Sequence, residues 1–484
     1  MIDRLTIEPF DFFVLPARTR FPFRYGIASM TDVPHLFMRT RVQTGNRSSA
    51  GLTAEGLPPK WFTKDPATTF EQDLPAMLSA ITNAAGWAQD IGSQPRSFFE
   101  FWRELHLEQE AWAHKHRIAP LLAGLGVSLV ERAVLDGLCR AIEVPAHRLI
   151  AANRLGVRLR DIYPELADVE PADLLPASPL QRCFIRHTIG LGDPLTPEDV
   201  RGEERVDDGL PQDLETSIRA YGLRYFKVKL RGQPDEDSVR LRAILRVLTL
   251  STTGGFWLTV DGNENFHDFA AFRRFWEQVN SDPALAEIPR QTIVVEQPVH
   301  RDRALDASAS LALAQWKNGP PIIIDESDGA VGDVPRALSA GYAGSSYKSC
   351  KGIVKGLANA CLLAARQTRG QRCVLTGEDL CTLGPVALQQ DLAMMAILGI
   401  EHVERNGHHY YRGLSMLPRE WQRSAVESHP DLYADHPLGF ARLRISDGTV
   451  DLSSANAAPF GVAPLLDVSG FARLANSDAN VLKF

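Results

Sequence analysis

Tyr225-Phe226-Lys227-Val228-Lys229, Thr259-Val260-Asp261-Gly262-Asn263, Val294-Val295-Glu296-Gln297-Pro298, Ile323-Ile324-Asp325-Glu326-Ser327 and Ser346-Tyr347-Lys348 repeat one design: a short run of strand-forming residues that ends on a charge. Runs of this length, enriched in β-branched and aromatic residues, read as strands. With Cys183–Ile189, Cys373–Thr376 and Ile400–Glu404 they make eight strand candidates. Helix candidates lie between them at Leu214–Tyr221, Asp235–Leu250, Phe269–Val279, Leu305–Trp316, Val334–Ala340, Lys355–Thr368 and Pro385–Leu398. Such alternation specifies an α/β fold around a parallel sheet, and eight units suit a TIM-type barrel. A doubly wound open sheet is the second reading, but no G-x-G-x-x-G or G-x-x-x-x-G-K-[ST] supports it.

In a barrel the strand ends converge on one crater, where chemistry sits. Asp261, Glu296 and Asp325 end three successive strands, and strands ending in lysine flank them on both sides. Three carboxylates in one crater repel one another unless a cation joins them. Oxygen ligands of this kind suit magnesium, with manganese as its substitute. Lys227 and Lys229 alternate with Val228 and so share the inward face. Two adjacent ammoniums depress each other's pKa, the direction a base near neutrality needs. Lys348 reaches the crater from its far side, so two bases face one substrate carbon. Each element has a plainer reading: a Lys-x-Lys pair is commonly solvated, and Asp-Gly-Asn is commonly a turn. A calcium loop beginning at Asp261 is excluded because Phe266 and Phe272 stand where such a loop needs glycine and glutamate. The order Lys-x-Lys, Asp, Glu, Asp, Lys along consecutive strands favours the chemical reading.

The rest of the chain surrounds this unit. It has 484 residues, more than one barrel requires, so a further domain is expected. Leu5–Leu15 and Leu36–Thr44 read as strands, and Phe21–Thr31 between them as a mobile segment. Residues 66–150 read as helical; Ser97–Trp112 is an amphipathic helix with Ser97 as N-cap and Glu100 three residues on. Pro164, Pro171, Pro176 and Pro179 mark a connector. A net charge of −7 with interleaved signs carries no nucleic-acid footprint. No apolar run is long enough for a membrane, and the charges among the first thirteen residues break any signal-peptide core. The six cysteines form no C-x-x-C and read as free buried thiols, so a cytoplasmic enzyme is expected.

These residues in this order resemble the enolase superfamily, in the mandelate racemase/muconate-lactonizing family and its branch with lysine bases. The resemblance implies a modified (β/α)7β barrel over residues 182–412 and an N-terminal α+β capping domain over 1–160. The segment 413–484 would complete the cap, with Ser446-Asp447-Gly448-Thr449 and Pro459-Phe460-Gly461-Val462 as its returning tail. It implies Asp261, Glu296 and Asp325 as magnesium ligands, Lys229 and Lys348 as bases, Lys227 orienting the substrate carboxylate, and Asn263 and Glu326 in support. Phe21–Thr31 resembles the substrate-capping loop, where Arg24 and Tyr25 point to a polar or anionic distal group. Glu378 and Asp379 are pocket candidates.

The sequence departs from the family at Lys348-Ser-Cys-Lys351-Gly352, which only partly matches Lys-x-x-Lys-x-Gly-Gly, and Lys351 competes for the partner role. The eighth strand ends Val403-Glu404-Arg405-Asn406, without the Asp-x-Asp of dipeptide epimerases. His408 and His409 are expected to be solvated or packed, and Cys350 and Cys381 to be wall rather than nucleophiles. The expected activity is removal of the α-proton of a small carboxylate to give a metal-stabilised enolate. A racemase or epimerase leads. A cycloisomerase or syn-eliminating lyase or dehydratase is the alternative, and a catalytically silent barrel the reading from another class. Homo-oligomers are common in that family.

Overall fold

The computed structural model describes residues 4–474; the ends of the expected cap and tail, 1–3 and 475–484, lie outside the described residues. The first four strands form an antiparallel sheet: β1 (Leu5–Ile7), β2 (Asp11–Tyr25), β3 (Ala28–Thr44) and β4 (Arg47–Gly56). Leu5–Leu15 is thus two strands rather than one. The segment Phe21–Thr31 is a hairpin rather than a loose loop: β2 and β3 pair through Tyr25 and Ala28, and Gly26 makes the turn at φ 49°. The sequence hides this because Gly26, Ala28 and Ser29 resemble a linker, while the pairing partner is supplied by the fold.

Of three helices, α1 (Phe70–Gly92) and α3 (Pro120–Ile142) pack on this sheet, and α2 (Phe98–His116) packs on both of them. The Ser97 cap is present, with Ser97 Oγ accepting from the Glu100 amide and Glu100 reaching back to the Ser97 amide. α3 is buried on nearly every face because it lies between the sheet and the barrel. It meets the sheet closely at two glycines: a Cβ on Gly51 of β4 would lie 2.0 Å from the Ala133 carbonyl oxygen, and one on Gly137 would lie 2.6 Å from Val42 of β3. The connector carries short helical turns at Pro164–Leu166 and Pro171–Leu174.

Eight parallel strands then form the barrel: β5 (Arg182–Ile189), β6 (Tyr225–Lys229), β7 (Trp257–Asp261), β8 (Thr292–Glu296), β9 (Ile322–Ile324), β10 (Gly344–Tyr347), β11 (Val374–Gly377) and β12 (His402–Glu404). β12 pairs with β5 through Val403 and Ile185, which closes the sheet and excludes the doubly wound alternative. The tail adds the hairpin β13 (Tyr433–His436) and β14 (Phe440–Leu443). It then adds β15 (Thr449–Asp451), antiparallel on barrel strand β5, and β16 (Ala472–Arg473), on cap strand β2. The tail therefore ties both units together. All six cysteines are buried and free, and no described helix is long and apolar enough to cross a membrane.

Candidate active site

The barrel register sets the crater. Lys229 on β6 aligns with Asp261 on β7, which aligns with Glu296 on β8. Asp325 follows β9, Lys348 follows β10 and Glu378 follows β11. In the closed ring β6 and β10 are four strands apart in either direction, so Lys229 and Lys348 stand on opposite walls. Every one of these groups is buried.

Lys227 is the hub. Its Nζ donates to Glu296 Oε1 at 2.9 Å, Glu378 Oε2 at 2.8 Å and Glu404 Oε2 at 2.9 Å, and lies 3.1 Å from Asp261 Oδ2. Lys229 donates to Asp261 Oδ2 at 2.6 Å. Lys348 donates to Asp325 Oδ1 at 2.7 Å and to Glu378 Oε2 at 2.5 Å. Lys351, on the turn after β10, also reaches Asp325 Oδ1 at 2.7 Å. Both Lys348 and Lys351 therefore hold the same carboxylate.

The expected depression of Lys229 by Lys227 is present, but the net shift of each lysine is upward. Burial lowers Lys227, but the charges of Asp261, Glu296, Glu378 and Glu404 outweigh it and hold the ammonium well above its ordinary value. Lys229 is raised despite burial, chiefly by Asp261, and Lys227 opposes this only in part. Lys348 is held well above its ordinary value by Asp325 and Glu378. Carboxylates outnumber ammoniums around each lysine, so attraction exceeds the mutual repulsion of the cations.

Oxygens of Glu296, Asp325 and Glu378 lie within 4.8 Å of one another, the reach of a single metal ion. Asp261 is turned towards the lysines, and its Oδ1 accepts from the Asn263 amide at 2.7 Å. Among the buried carboxylate oxygens here, Glu326 Oε2 has no hydrogen-bond donor among the described residues, and Glu296 Oε2 meets the Lys227 ammonium at 2.9 Å. Burial and the neighbouring charges of Asp325 and Glu264 push Glu326 up to about 8. An all-oxygen set of converging carboxylates fits a hard divalent cation.

The backbone is held at these ends. Asn263 and Gln297 adopt left-handed φ of 45° and 35°, a conformation disfavoured outside glycine that collects at functional sites. The Gln297 side chain joins two strand ends: Oε1 accepts from the Asp325 amide at 2.8 Å and Nε2 donates to Ser327 Oγ at 2.8 Å.

The cap closes the crater. Phe23, Tyr25 and Met30 from the hairpin, with Trp61, Leu380 and Cys381, wall a space of about 40 Å³ over Lys227, Lys229 and Lys348. Lys348 Nζ sits 5.3 Å from the Trp61 ring centroid. Tyr25 is buried and donates to the Pro59 carbonyl at 2.7 Å. Arg24 does not face the crater as a free cation; it pairs with Glu204 at 2.6 Å. The connection between β5 and β6 thereby clamps the hairpin, and Asp208 adds a 2.5 Å pair with Arg20. His408 and His409 are buried rather than solvated; both rings pack against His187. Asp379 belongs to a buried pair with Arg405 at 3.4 Å.

Four participants escaped the sequence reading. Arg186 pairs with Glu378 at 2.8 Å from the barrel interior; its signal was a charge in the middle of an apolar strand. Glu404 carries the same strand-end signal as the acids before it, and its partner is Lys227. Lys64 donates to the Asn263 carbonyl from the cap, and Arg301 brackets Glu264 and the carbonyls of Trp61 and Phe62. Nothing local in the sequence marks these last two.

No family model and no curated protein sequence matches the chain. Among solved structures it is similar to a mandelate racemase/muconate lactonizing protein from Herpetosiphon aurantiacus, at 19% identity and a TM-score of 0.55 over 95% of this chain and 98% of that one. It is also similar to an N-succinyl Arg/Lys racemase from Bacillus cereus, at 15% identity and a TM-score of 0.56 over 95% and 98% of the two chains. A third is an enolase from Bradyrhizobium, complexed with magnesium and mandelic acid, at 16% identity and a TM-score of 0.51 over 93% and 94%. This chain has the fold of the mandelate racemase/muconate lactonizing proteins, cap and barrel together.

Proposed function

We propose that the chain is an enolase-superfamily enzyme that removes the proton next to the carboxylate of a small acid, and that it acts as a racemase or epimerase. The observation that carries this reading is the placement of Lys229 and Lys348 on opposite walls, with the acids of three successive strands between them. Once the charge of a bound cation offset the acids that hold these ammoniums, one lysine would lose its proton and take the α-proton from one face of the carbon, and the other, as an ammonium, would return a proton to the opposite face. Lys227, at the floor, orients the substrate carboxylate. Asp261, Glu296 and Asp325 would hold magnesium, or manganese in its place, with Glu378 close enough to join them. The ion supplies positive charge against the negative charge that develops on the substrate carboxylate. Asn263 and Glu326 support the acids, and Tyr25 and Trp61 keep water from the crater. The magnesium-bearing and racemase neighbours of the same fold support this assignment.

The alternative is a cycloisomerase or syn-eliminating lyase, in which one lysine is the base and the other supplies charge alone. Lys348 is held by two carboxylates and stands over Trp61, a setting that also suits a fixed cation.

The deciding experiment is α-proton exchange in heavy water, followed by proton NMR over a panel of N-acylamino acids and other small carboxylates, with and without magnesium. Magnesium-dependent exchange should fall about 10²–10⁴-fold in Lys229→Ala, the range for a general base. Loss in Lys348→Ala of exchange from one enantiomer only supports racemisation. Full turnover in Lys348→Arg with loss in Lys348→Ala would favour elimination. No exchange on any acid, together with a melting temperature indifferent to magnesium, would leave a silent barrel.

A further inference from the structure

A second cavity, of about 540 Å³, lies between the cap helices and the barrel rim. That volume falls in the ~300–1,000 Å³ range usual for small-molecule sites. α2 presents Trp102, His106, Gln109 and Ala113 to it, a spacing that keeps one helix face turned inward. Gly124 on α3 faces them, and Lys351 and Lys355 close the floor.

Three features of the lining select a ligand. The Trp102 and His106 rings are stacked, with centroids 5.3 Å apart and planes 15° apart, and form an aromatic wall. Burial pushes His106 down to about 4, so the wall is uncharged near neutrality. Gln109 is 1% exposed, and its Nε2 donates to the Ala80 carbonyl at 2.8 Å and the Ala123 carbonyl at 3.3 Å. Two carbonyl partners fix the amide orientation, and Oε1 is left as a buried acceptor with no donor. Among the lining residues Glu110 is the single acid, against Lys351, Lys355 and Arg117. The two lysines are paired with Asp325 and Asp328, whereas Arg117 is exposed at the mouth with no ion-pair partner among the described residues.

We propose that this cavity is a second ligand site, for a small aromatic carboxylate that carries an N–H or O–H donor. The ring lies along Trp102 and His106, the donor meets Gln109 Oε1, and the carboxylate pairs with Arg117. The site adjoins the crater through Lys351, which lines this cavity and also holds Asp325. It stands on this lining alone and does not depend on the crater's reaction.

The test is calorimetric titration of the full chain with indole-3-acetate, which has ring, N–H and carboxylate together. Naphthalene-1-acetate, without the N–H, and indole-3-acetamide, without the charge, should each bind about tenfold more weakly. Gly124→Phe directs a ring into the space from a position where a Cβ meets nothing nearer than the Lys351 carbonyl oxygen at 3.9 Å. It should abolish binding while the melting temperature holds or rises, and Arg117→Ala should weaken the carboxylates but not the acetamide. No heat of binding at millimolar indole-3-acetate, or equal affinity in wild type and Gly124→Phe, would overturn the proposal; the second result would move the probe elsewhere, the crater included.

Discussion

Lys227 is the residue on which the crater's charge balance turns. It is 1% exposed and is the shared donor to Glu296, Glu378 and Glu404. Removing one partner from a buried ionic cluster leaves the others uncompensated, at a cost of about 3–5 kcal/mol. Lys227→Met should therefore lower the unfolding free energy by that amount, read as a lower urea midpoint, and magnesium should restore part of it by supplying charge to the same acids. An unchanged midpoint would mean that Arg186, Lys229 and Lys348 suffice to hold the acids. The charged strand ends were legible because each ends a run of strand-forming residues, and the barrel brings such ends together. The role of Arg186 was not, since its partner Glu378 is 192 residues away and only ring closure brings the two together. Nor was the raised ionisation of the lysines, because it depends on how many carboxylates face each ammonium at short range, and spacing along one strand does not report that.

Among the elements, α2 is the one most fully written in local sequence. Its N-cap is a reciprocal pair between Ser97 and Glu100, and Ser97→Ala should cost about 1 kcal/mol, read as a lower melting temperature. The contact of β4 with α3 is the opposite case, since it depends on two elements distant in sequence. Gly51 has no room for a methyl against the Ala133 carbonyl, so Gly51→Ala must push helix from sheet, at about 1–3 kcal/mol or more. Chemical denaturation checks it, and a neutral result would show that the interface slides freely. The Phe21–Thr31 hairpin shows why elements were misjudged. Its small residues read as a flexible link, but β2 pairs β3 on one side, and Arg20 and Arg24 are clamped by Asp208 and Glu204 on the other.

For the whole molecule, closure and tail matter most. β12 meets β5, β15 adds to β5, and β16 returns to β2, so one segment of chain joins barrel and cap. His429 anchors that segment: its Nε2 accepts from the Ala463 amide at 3.1 Å and Nδ1 meets Ser454 Oγ at 2.9 Å. Burial pushes His429 down to about 4, His187 to about 4 and His402 to about 3 from an ordinary 6.5. The unfolded chain thus takes up protons at higher pH than the folded one. This contribution to stability is complete above about pH 6.5 and is lost as pH falls towards 4. The difference in melting temperature between wild type and His429→Gln should be constant from pH 8 to about 6.5 and shift against the wild type below it; a constant difference down to pH 4 would refute the assignment. By itself the sequence determined the alternation of strands and helices and the charges that end the strands, because hydrophobic period and turn chemistry act over a few residues. Tertiary structure alone decided that the sheet closes, that Glu378 joins the acids and that carboxylates outnumber ammoniums around each lysine. Those outcomes depend on distances between residues far apart in the chain, which the folded barrel sets.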